Sequence, residues 1–318
     1  MPSAERPSGQ QVELRHGSQR AIVVEVGGGL RSYSVDDRAV LDGYAVDRMA
    51  DGGRGQPLLP WPNRLADGQY TWDGRHLQVP IDELGRRNAS HGLTRWLNWS
   101  IRRQSKKAVT MQHVIHPRPG YPFTLQVEID YELGDAGLTV RTHAHNVGSE
   151  AAPFGLGFHP YLTVGTPSID SAQLLLPAAE VLDVDERMLP TGTRRSVANT
   201  ELDFRIARCI GEQRLDHCYS GLERDDRGRA RVVLCAPDDG PIASLWLDAS
   251  FTYVQVFTGD TLAEDRRRQG IAIEPMTCPP NAFRSGTDVA RIQPGEAFSA
   301  TWGASALRHL GWFRRDRR

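Results

Sequence analysis

The sequence predicts an all-β fold, a large antiparallel β-sandwich with little helix, from three observations. Apolar residues recur at every second position in many short segments, as in strands that bury one face. Residues that favour tight turns lie between these segments. No segment keeps a helical apolar period over three turns, and the 31 Gly and 20 Pro residues would interrupt long helices.

The clearest strand is the segment TLQVEIDYEL (124–133), in which apolar and polar residues alternate throughout. Asp73 and Gly74, between two runs of this kind, are typical of a two-residue type I′ hairpin, and LGDAGL (133–138) also joins two alternating runs. Consecutive strands are therefore expected to pair antiparallel. Shorter segments with similar patterns are 21–26, 138–145, 231–235, 242–247, 253–257 and 297–302.

The chain has 318 residues, which is enough for two domains. All-β folds, however, often use more than ~200 residues in one domain. No Pro- or Ser-rich linker and no internal repeat divides this sequence. We therefore expect one domain over residues 10–308, with flexible termini at 1–9 and 309–318.

The composition is that of a soluble globular protein, with 39% hydrophobic and 24% charged residues and a formal net charge of -1. No apolar run approaches the ~20 residues that cross a membrane, and the first residues lack the apolar segment of a secretory signal. We expect a cytoplasmic protein that binds neither membranes nor nucleic acid. Four cysteines at irregular spacings, without Cys-x-x-Cys, are interpreted as reduced thiols rather than zinc ligands or disulfides.

Three short segments could be mistaken for ligand sites. Gly27–Gly29 lacks a phosphate-binding lysine and a following helix, so a turn is favoured. His143 and His145 lie on one face of a predicted strand, where a metal pair is the alternative to two solvent-facing side chains. The acidic run 182–186 lacks the glycine and glutamate of a calcium loop. We expect no metal at any of them.

Four polar clusters stand where apolar strands would otherwise be expected. They are PWPNRLADGQYTWDG with Asn63 and Arg64, NASHGL with His91, GFHPY with His159, and IAIEPMTCPPNAF with Glu274. The last cluster predicts a buried strand that delivers the Glu274 carboxylate just before Pro275 ends it. From the pattern alone, a catalytic glutamate and a buried glutamate with a structural partner both remain open.

Taken in order, these clusters resemble segments of the aldose 1-epimerase (galactose mutarotase) family. Two more segments share the resemblance, LPTGTRRSVANTELDF (189–204) and LDHCYSGL with Asp216, so that it extends from about residue 10 to residue 305. The resemblance implies a β-supersandwich of the galactose mutarotase type that interconverts the anomers of a free hexose without a cofactor. The form HPYL, which begins at His159, departs from many family members and resembles a divergent bacterial subgroup.

The resemblance also implies roles for individual residues. Glu274 would be the general base and His159 the general acid, with His159 ending a strand and Pro160 directing its imidazole inward. A glutamate base would set the acid limb of the pH profile and a histidine acid the basic limb, and a nearby carboxylate would favour the imidazolium form of His159. The groups expected to bind the sugar, with no metal, are Arg64, His91, Asp216 and Asn63.

Three alternatives remain beside this interpretation. A hexose-6-phosphate mutarotase could use Arg86, Arg87 and Arg95, which flank the His91 segment, to bind a phosphate. A glycoside hydrolase would need two carboxylates, for which Asp216 and Glu274 qualify. A non-catalytic sugar-binding protein would keep the sugar contacts alone. The expected partner of an epimerase is a small-molecule sugar, and the protein is expected to be a monomer or a homodimer.

Overall fold

The structure is a computed structural model that describes residues 6–238 and 240–307. Within these ranges the chain forms 27 strands, two short 3-10 helices and one α-helix of four residues. The first strands are β1 (Gln11–His16), β2 (Gln19–Val24), β3 (Leu30–Val35), β4 (Arg38–Leu41), β5 (Pro57–Leu58), β6 (Arg64–Ala66), β7 (Gln69–Trp72), β8 (Arg75–Gln78), β9 (Asn88–Ser90), β10 (Ser100–Gln104), β11 (Ala108–Ile115), β12 (Leu125–Gly134) and β13 (Gly137–Asn146). The others are β14 (Ala152–Phe154), β15 (Gly157–Phe158), β16 (Tyr161–Leu162), β17 (Gln173–Leu175), β18 (Ala178–Val184), β19 (Pro190–Ser196), β20 (Arg208–Cys209), β21 (Asp216–Leu222), β22 (Ala230–Cys235), β23 (Ile242–Leu247), β24 (Tyr253–Phe257), β25 (Ile271–Met276), β26 (Ala290–Ile292) and β27 (Ala297–Leu307). The helices are the 3-10 turns Leu84–Arg86 and Ile169–Ser171 and α1 (Ala282–Ser285).

Two large sheets make up the sandwich, and their strands pair antiparallel. The twelve-stranded sheet has the path β1-β2-β3-β4-β16-β25-β24-β21-β18-β19, with β15 pairing to β25 and to β5. The nine-stranded sheet has the order β10-β11-β12-β13-β27-β23-β22-β17-β20. About 49% of the described residues are in strands and 3% in helices, so the predicted antiparallel β-sandwich with little helix is confirmed.

The core between the sheets follows from the alternating pattern of the sequence. Leu125, Val127, Ile129, Tyr131 and Leu133 of β12 are each 0% exposed, while the residues between them face outward and are half-buried or exposed. Burying one side chain of this size contributes roughly 1.5–3 kcal/mol. These residues belong to one core cluster with apolar residues of the twelve-stranded sheet, so the alternation holds the two sheets together.

Both predicted turns are confirmed. Asp73 and Gly74 join β7 to β8 with φ of 47° and 76°, the two positive values that a type I′ turn requires. Gly134 pairs with Gly137 at the end of the β12–β13 ladder, which leaves two residues in the turn. The strands predicted at 21–26, 138–145, 231–235, 242–247, 253–257 and 297–302 correspond to β2, β13, β22, β23, β24 and β27.

The expectation that Pro275 ends its strand is wrong. Strand β25 continues to Met276, and Pro275 pairs with Val254 of β24. Strand β24 lies on one side of β25. The N–H of Ile273 points to the opposite side, where it donates to the carbonyl of Pro160. Since alternate residues of a strand point to the same side, the proline nitrogen also faces that side, at the gap between β15 and β16. No ladder hydrogen bond is lost there, so the strand tolerates the proline.

The first described residues are held to the first hairpin. Ser8 is 0% exposed, and its carbonyl accepts a hydrogen bond from the Val26 N–H. The sequence assigns residues 6–9 to a flexible terminus; of these, Ser8 is buried and Gly9 half-buried, while Arg6 and Pro7 are exposed. The rest of the predicted termini, 1–5 and 309–318, lies outside the described residues. None of the described helices is long and apolar enough to span a membrane.

The sheet order brings three polar side chains onto adjacent strands. Glu274 lies on β25, Gln255 on β24 and Asp216 on β21, and Gln255 is directly opposite Glu274 in the ladder. Adjacent strands are separated by ~5 Å, so these side chains lie within reach of one another. The short strands β15 and β16 flank β25 on its other side and carry His159 between them.

Candidate active site

Glu274 is a carboxyl group inside an otherwise apolar strand. The preceding residues Ile271–Ile273 are 0% exposed and Glu274 itself only 2%, so this carboxyl group is removed from water. The imidazole of His159 lies beside it, with Nε2 3.3 Å from Glu274 Oε1. The structure therefore brings together the two residues that the sequence predicted as base and acid.

The backbone on both sides holds His159 in place. Strand β15 ends at Phe158, immediately before it, and Pro160 follows it. The N–H of His159 donates to the Gln56 carbonyl at 3.1 Å, and its own carbonyl accepts from the Gly55 N–H at 2.9 Å. The residue is 5% exposed, as expected for an imidazole that points inward.

Burial sets the protonation of this pair. Loss of hydration lowers the pKa of His159 to about 3, with further lowering by the charges of Arg54 and Arg95. The same cause raises the pKa of Glu274 well above its usual value, and the charge of Asp216 adds to this. The expected preference for the imidazolium of His159 is opposed in the free protein, because loss of hydration favours the neutral forms of both groups.

Each member of the pair has one polar atom without a partner. Among the described residues, neither Nδ1 of His159 nor Oε2 of Glu274 has a hydrogen-bond partner, although both atoms are buried. Buried polar atoms are rarely left in this state, since each costs free energy until a partner satisfies it. The two atoms therefore retain unused hydrogen-bonding capacity inside the protein.

His91 and Asn63 are joined through their backbones. The His91 N–H donates to the Asn63 carbonyl at 2.8 Å, and the Asn63 N–H donates to His91 Nδ1 at 3.2 Å. Burial, followed by the charge of Arg95, lowers the pKa of His91 well below its usual value, so the ring is neutral. Because Nδ1 accepts a hydrogen bond, the proton of the neutral ring is assigned to Nε2. The ring lies edge-on to His159, with centroids 5.5 Å apart.

Arg64 begins β6 and pairs with Ser90 in β9, which places it beside His91. Its Nε donates to both carboxylate oxygens of Glu83, at 3.1 and 3.0 Å. Its terminal nitrogen is 3.9 Å from Asp216 Oδ2, and Gln255 Nε2 donates to the other Asp216 oxygen at 2.6 Å.

Asn63 is buried, and its side-chain oxygen accepts from the Arg64 N–H. These contacts bring the predicted sugar-binding residues together.

Sequence reasoning missed two of the buried polar residues here. Gln255 is 3% exposed, and the signal for it was a single polar residue at the centre of the apolar run YVQVF. Arg54 is 1% exposed and stands in the glycine-rich segment DGGRG, which was not singled out.

The other polar features stay outside this site. His143 contacts Ser299 Oγ at 2.8 Å, His145 faces the Gly295 carbonyl, and both are on the outer face as predicted. Over 6–238 and 240–307, no group of three or more His, Cys, Asp or Glu residues is arranged to hold a metal ion. The four cysteines are free thiols.

The fold and the site define a class of β-sandwich proteins in which a buried carboxyl–imidazole pair is surrounded by Arg, Asp and His side chains. The sequence profile of one family, described as aldose 1-epimerase, matches residues 10–304. The chain therefore belongs to the aldose 1-epimerase family, and the resemblance noted in the sequence is confirmed.

Relatives cover nearly the whole chain. An Escherichia coli K12 protein named uncharacterized protein YihR is 36% identical over 290 residues, which cover 91% of each sequence. Human galactose mutarotase is 25% identical and covers 94% of this chain and 95% of its own. The structure of the GalM/aldose epimerase homologue from C. elegans superimposes with a TM-score of 0.83 at 18% identity, covering 94% of this chain and 99% of its own. The predicted galactose mutarotase-like fold is thus confirmed.

Proposed function

We propose that this protein is an aldose 1-epimerase that interconverts the α and β anomers of a free hexose. In this proposal Glu274 is the general base and His159 the general acid. The observation that carries it is the 3.3 Å contact between Glu274 Oε1 and His159 Nε2, with one unpartnered buried atom on each side chain. An acid and a base held this close can serve two oxygens bonded to one carbon.

The reaction needs these two proton transfers. Glu274, as carboxylate, accepts the proton of the C1 hydroxyl while His159, as imidazolium, donates one to the ring oxygen, and the bond between C1 and the ring oxygen breaks. The open-chain aldehyde turns about C1–C2. The ring then closes on the other face of C1 as both protons return, so atoms and charges balance without another reactant.

The proton count of the pair fits this cycle. A carboxylic acid beside a neutral imidazole has one transferable proton in total, and so does a carboxylate beside an imidazolium. The free protein favours the first form because both groups are desolvated. A bound sugar supplies hydroxyl groups to the buried atoms and so favours the second form, in which Glu274 is the base and His159 the acid.

The surrounding side chains suit a sugar. Arg64 and the Nε2–H of His91 are donors, and Asp216 is an acceptor, so together they match ring hydroxyls that both donate and accept. We assign Asn63 to the same binding set, because it joins Arg64 and His91 through its backbone and side-chain oxygen.

A phosphorylated hexose is the second candidate, and Arg95 favours it. Its side chain is 14% exposed, binds Asp82 at 3.3 Å, and lies near enough to His91 to lower the pKa of that ring. Arg86 is paired with Glu83, and Arg87 is 77% exposed and lies 3.8 Å from Asp67. Of the three arginines noted in the sequence, Arg95 is therefore the one placed to meet a phosphate near the pair.

Polarimetry on freshly dissolved α-glucose, α-galactose and glucose 6-phosphate tests the proposal. We expect the protein to accelerate the approach to the same equilibrium rotation for at least one free hexose, and Glu274→Gln to abolish the acceleration. Acceleration with the phosphorylated sugar alone would select the second candidate. Binding without acceleration would indicate a sugar-binding protein, and release of sugar from an aryl glycoside would indicate a hydrolase.

A further inference from the structure

A buried arginine, Arg54, contacts the ring that stacks on His159. The Arg54 side chain is 1% exposed, and its guanidinium carbon lies 4.0 Å from the centroid of the Tyr161 ring. The Tyr161 and His159 rings are in turn stacked, with centroids 5.1 Å apart and 13° between their planes. Arg54, Tyr161 and His159 therefore form a stack of three planar groups that ends at the partner of Glu274.

Two carboxylates fix the outer end of this stack. Arg54 donates to Asp42 Oδ2 at 2.6 Å and to Asp51 Oδ1 at 3.1 Å. Arg266 lies 3.2 Å from the same Asp42 oxygen and 3.8 Å from Asp51. The formal charges of the two arginines and two aspartates cancel, so the guanidinium of Arg54 is held in one orientation without a net charge in the cluster.

The middle of the stack is fixed as well. The Tyr161 hydroxyl donates to the Gly52 carbonyl at 3.0 Å. The backbone of Gly53 packs on the edge of the His159 ring, since a Cβ added there would lie 2.6 Å from His159 Cδ2. The segment that carries Arg54 thus contacts both rings.

We propose that Arg54 is a positioning residue, which orients the His159 ring against Glu274 through Tyr161 and whose charge adds to the effect of burial in keeping the shared proton on Glu274 in the free protein. This inference rests on the proposed function, because it gives Arg54 a role in the proton transfers of that reaction. A side chain that only filled the core would need neither the charge nor the planar group.

The protonation of His159 depends on Arg54 and on every other charged or titratable group that faces the ring. Glu274 faces it from β25, Tyr161 from β16 and His91 from the turn after β9. Of the permanent cations, Arg54 and Arg95 both lower the pKa of His159, and the effect of Arg54 is the larger. Asp51, beside Arg54, raises the pKa and opposes it in part.

Two variants separate geometry from charge. Arg54→Lys keeps the positive charge but removes the planar group that stacks on Tyr161. Because a small misplacement of a reacting group can cost up to ~100-fold in rate, we expect kcat to fall by about 10- to 100-fold. The acid limb of the pH profile should stay in place, since the charge remains.

The double variant Arg54→Gln/Asp42→Asn removes the charge together with its nearest partner, so no buried aspartate loses all its cations. We expect His159 to titrate at a higher pH, by less than the ~1 unit of a single charge acting across the stack, because the opposing Asp42 charge is removed as well. The matched control is Arg266→Gln/Asp42→Asn, which removes equal charges from the same cluster but leaves the stack intact. His159 should titrate there as in the unchanged protein.

The measurement is an NMR titration of the His159 ring, together with kcat for each variant. A shift in the first double variant but not in its control, with a reduced kcat for Arg54→Lys, supports the proposal. Equal titration in both double variants, or full kcat in Arg54→Lys, would overturn it. The titration needs no turnover, so failure of the proposed function would be seen separately, as no acceleration of anomer interconversion by the unchanged protein.

Discussion

The carboxyl group of Glu274 and the imidazole of His159 lie 3.3 Å apart, and both are almost fully buried. Taking an ion out of water costs several kcal/mol, and an ion pair recovers this only when further hydrogen bonds complete it. Those further bonds are lacking among the described residues, because Oε2 and Nδ1 are unpartnered. At the scale of the residue, the neutral pair is therefore the resting form. A ligand that forms hydrogen bonds with both atoms shifts the equilibrium toward the ion pair.

The pH dependence of kcat/KM follows from this resting form. The one-proton state persists between the lowered pKa of His159, about 3, and the raised pKa of Glu274. Below that window the pair gains a second proton on His159, and above it the pair loses its proton from Glu274. We expect a broad bell whose acid limb lies below pH 5, the reverse of the assignment made from the sequence, with apparent values that belong to the pair. An acid limb near pH 6 or above in a kcat/KM profile would contradict this order.

Sugar-binding residues are expected to act on KM. Asp216→Asn keeps the oxygen that accepts from Gln255 but removes the charge that faces Arg64. A hydrogen bond to a charged group contributes roughly 1.5–3 kcal/mol, so KM should rise by about 10-fold or more with kcat nearly unchanged. Arg64→Ala should act in the same direction. Initial rates by polarimetry measure both constants, with Asp130→Asn on the other sheet as the control. A fall in kcat alone would exclude a pure binding role.

At the scale of the element, the segment 51–55 between β4 and β5 forms one wall of the site. It supplies the Gly55 N–H that binds the His159 carbonyl and the Gly53 backbone that touches the imidazole edge. The short strands β15 and β16 hold His159 between them, and β15 pairs with β5, which follows this segment. The position of the imidazole therefore depends on backbone packing as well as on its own side-chain contacts.

Gly53→Ala tests this packing. Its φ is 74°, and an added Cβ would lie 2.6 Å from His159 Cδ2, so the ring must shift. Gly165→Ala is the matched control, because its φ is 76° and nothing lies within 4 Å of an added Cβ. Both variants should lose ~1 kcal/mol to backbone strain, but only Gly53→Ala should also lose about 10-fold or more in kcat. Thermal melts and polarimetry on both proteins distinguish the two effects, and equal kcat values would show that the contact is unimportant.

The elements differ in how well the sequence predicts them. Strand β12 could be read directly, because each buried residue is followed by an outward-facing one over ten positions. Strands β5, β15 and β16 have two residues each, too few for any period to show. The sequence does not show that β25 continues through Pro275. A strand tolerates a proline whose nitrogen faces a side without a hydrogen-bonding partner, and in β25 that side is determined by β15 and β16, which are distant in sequence.

At the scale of the whole molecule, the site is assembled from segments that are distant in sequence. Strand β6 contributes Arg64 and the turn after β9 contributes His91, while β21 and β25 of the twelve-stranded sheet contribute Asp216 and Glu274. The resemblance to a family supplied these residues, since their types alone do not specify that they meet. Arg54 could not be found in this way, because its role depends on the stack with Tyr161, a contact that no local pattern in the sequence indicates.

Stability of the whole fold should depend on pH through Glu274. Its pKa is raised in the folded state, so the stability it contributes is fully present below the pKa of the unfolded chain and is lost as pH rises through the folded value. Glu274→Gln cannot ionise, so its Tm relative to the unchanged protein should increase from pH 5 to pH 9. The surface variant Glu186→Gln serves as the control. Melts that show a constant or falling Tm difference for Glu274→Gln would mean that burial does not penalise this carboxylate.

The central claim is that Glu274 and His159 are the two proton carriers of anomer interconversion, and polarimetry of Glu274→Gln and His159→Asn tests it most directly. Each variant should lose about 10²–10⁴ in kcat, the usual contribution of general acid–base catalysis, while melts and sugar binding by calorimetry show an intact fold and site. The double variant should lose much less than the product of the two losses, because the groups act in one linked step. A near-normal kcat in either single variant, with normal folding and binding, would contradict the account.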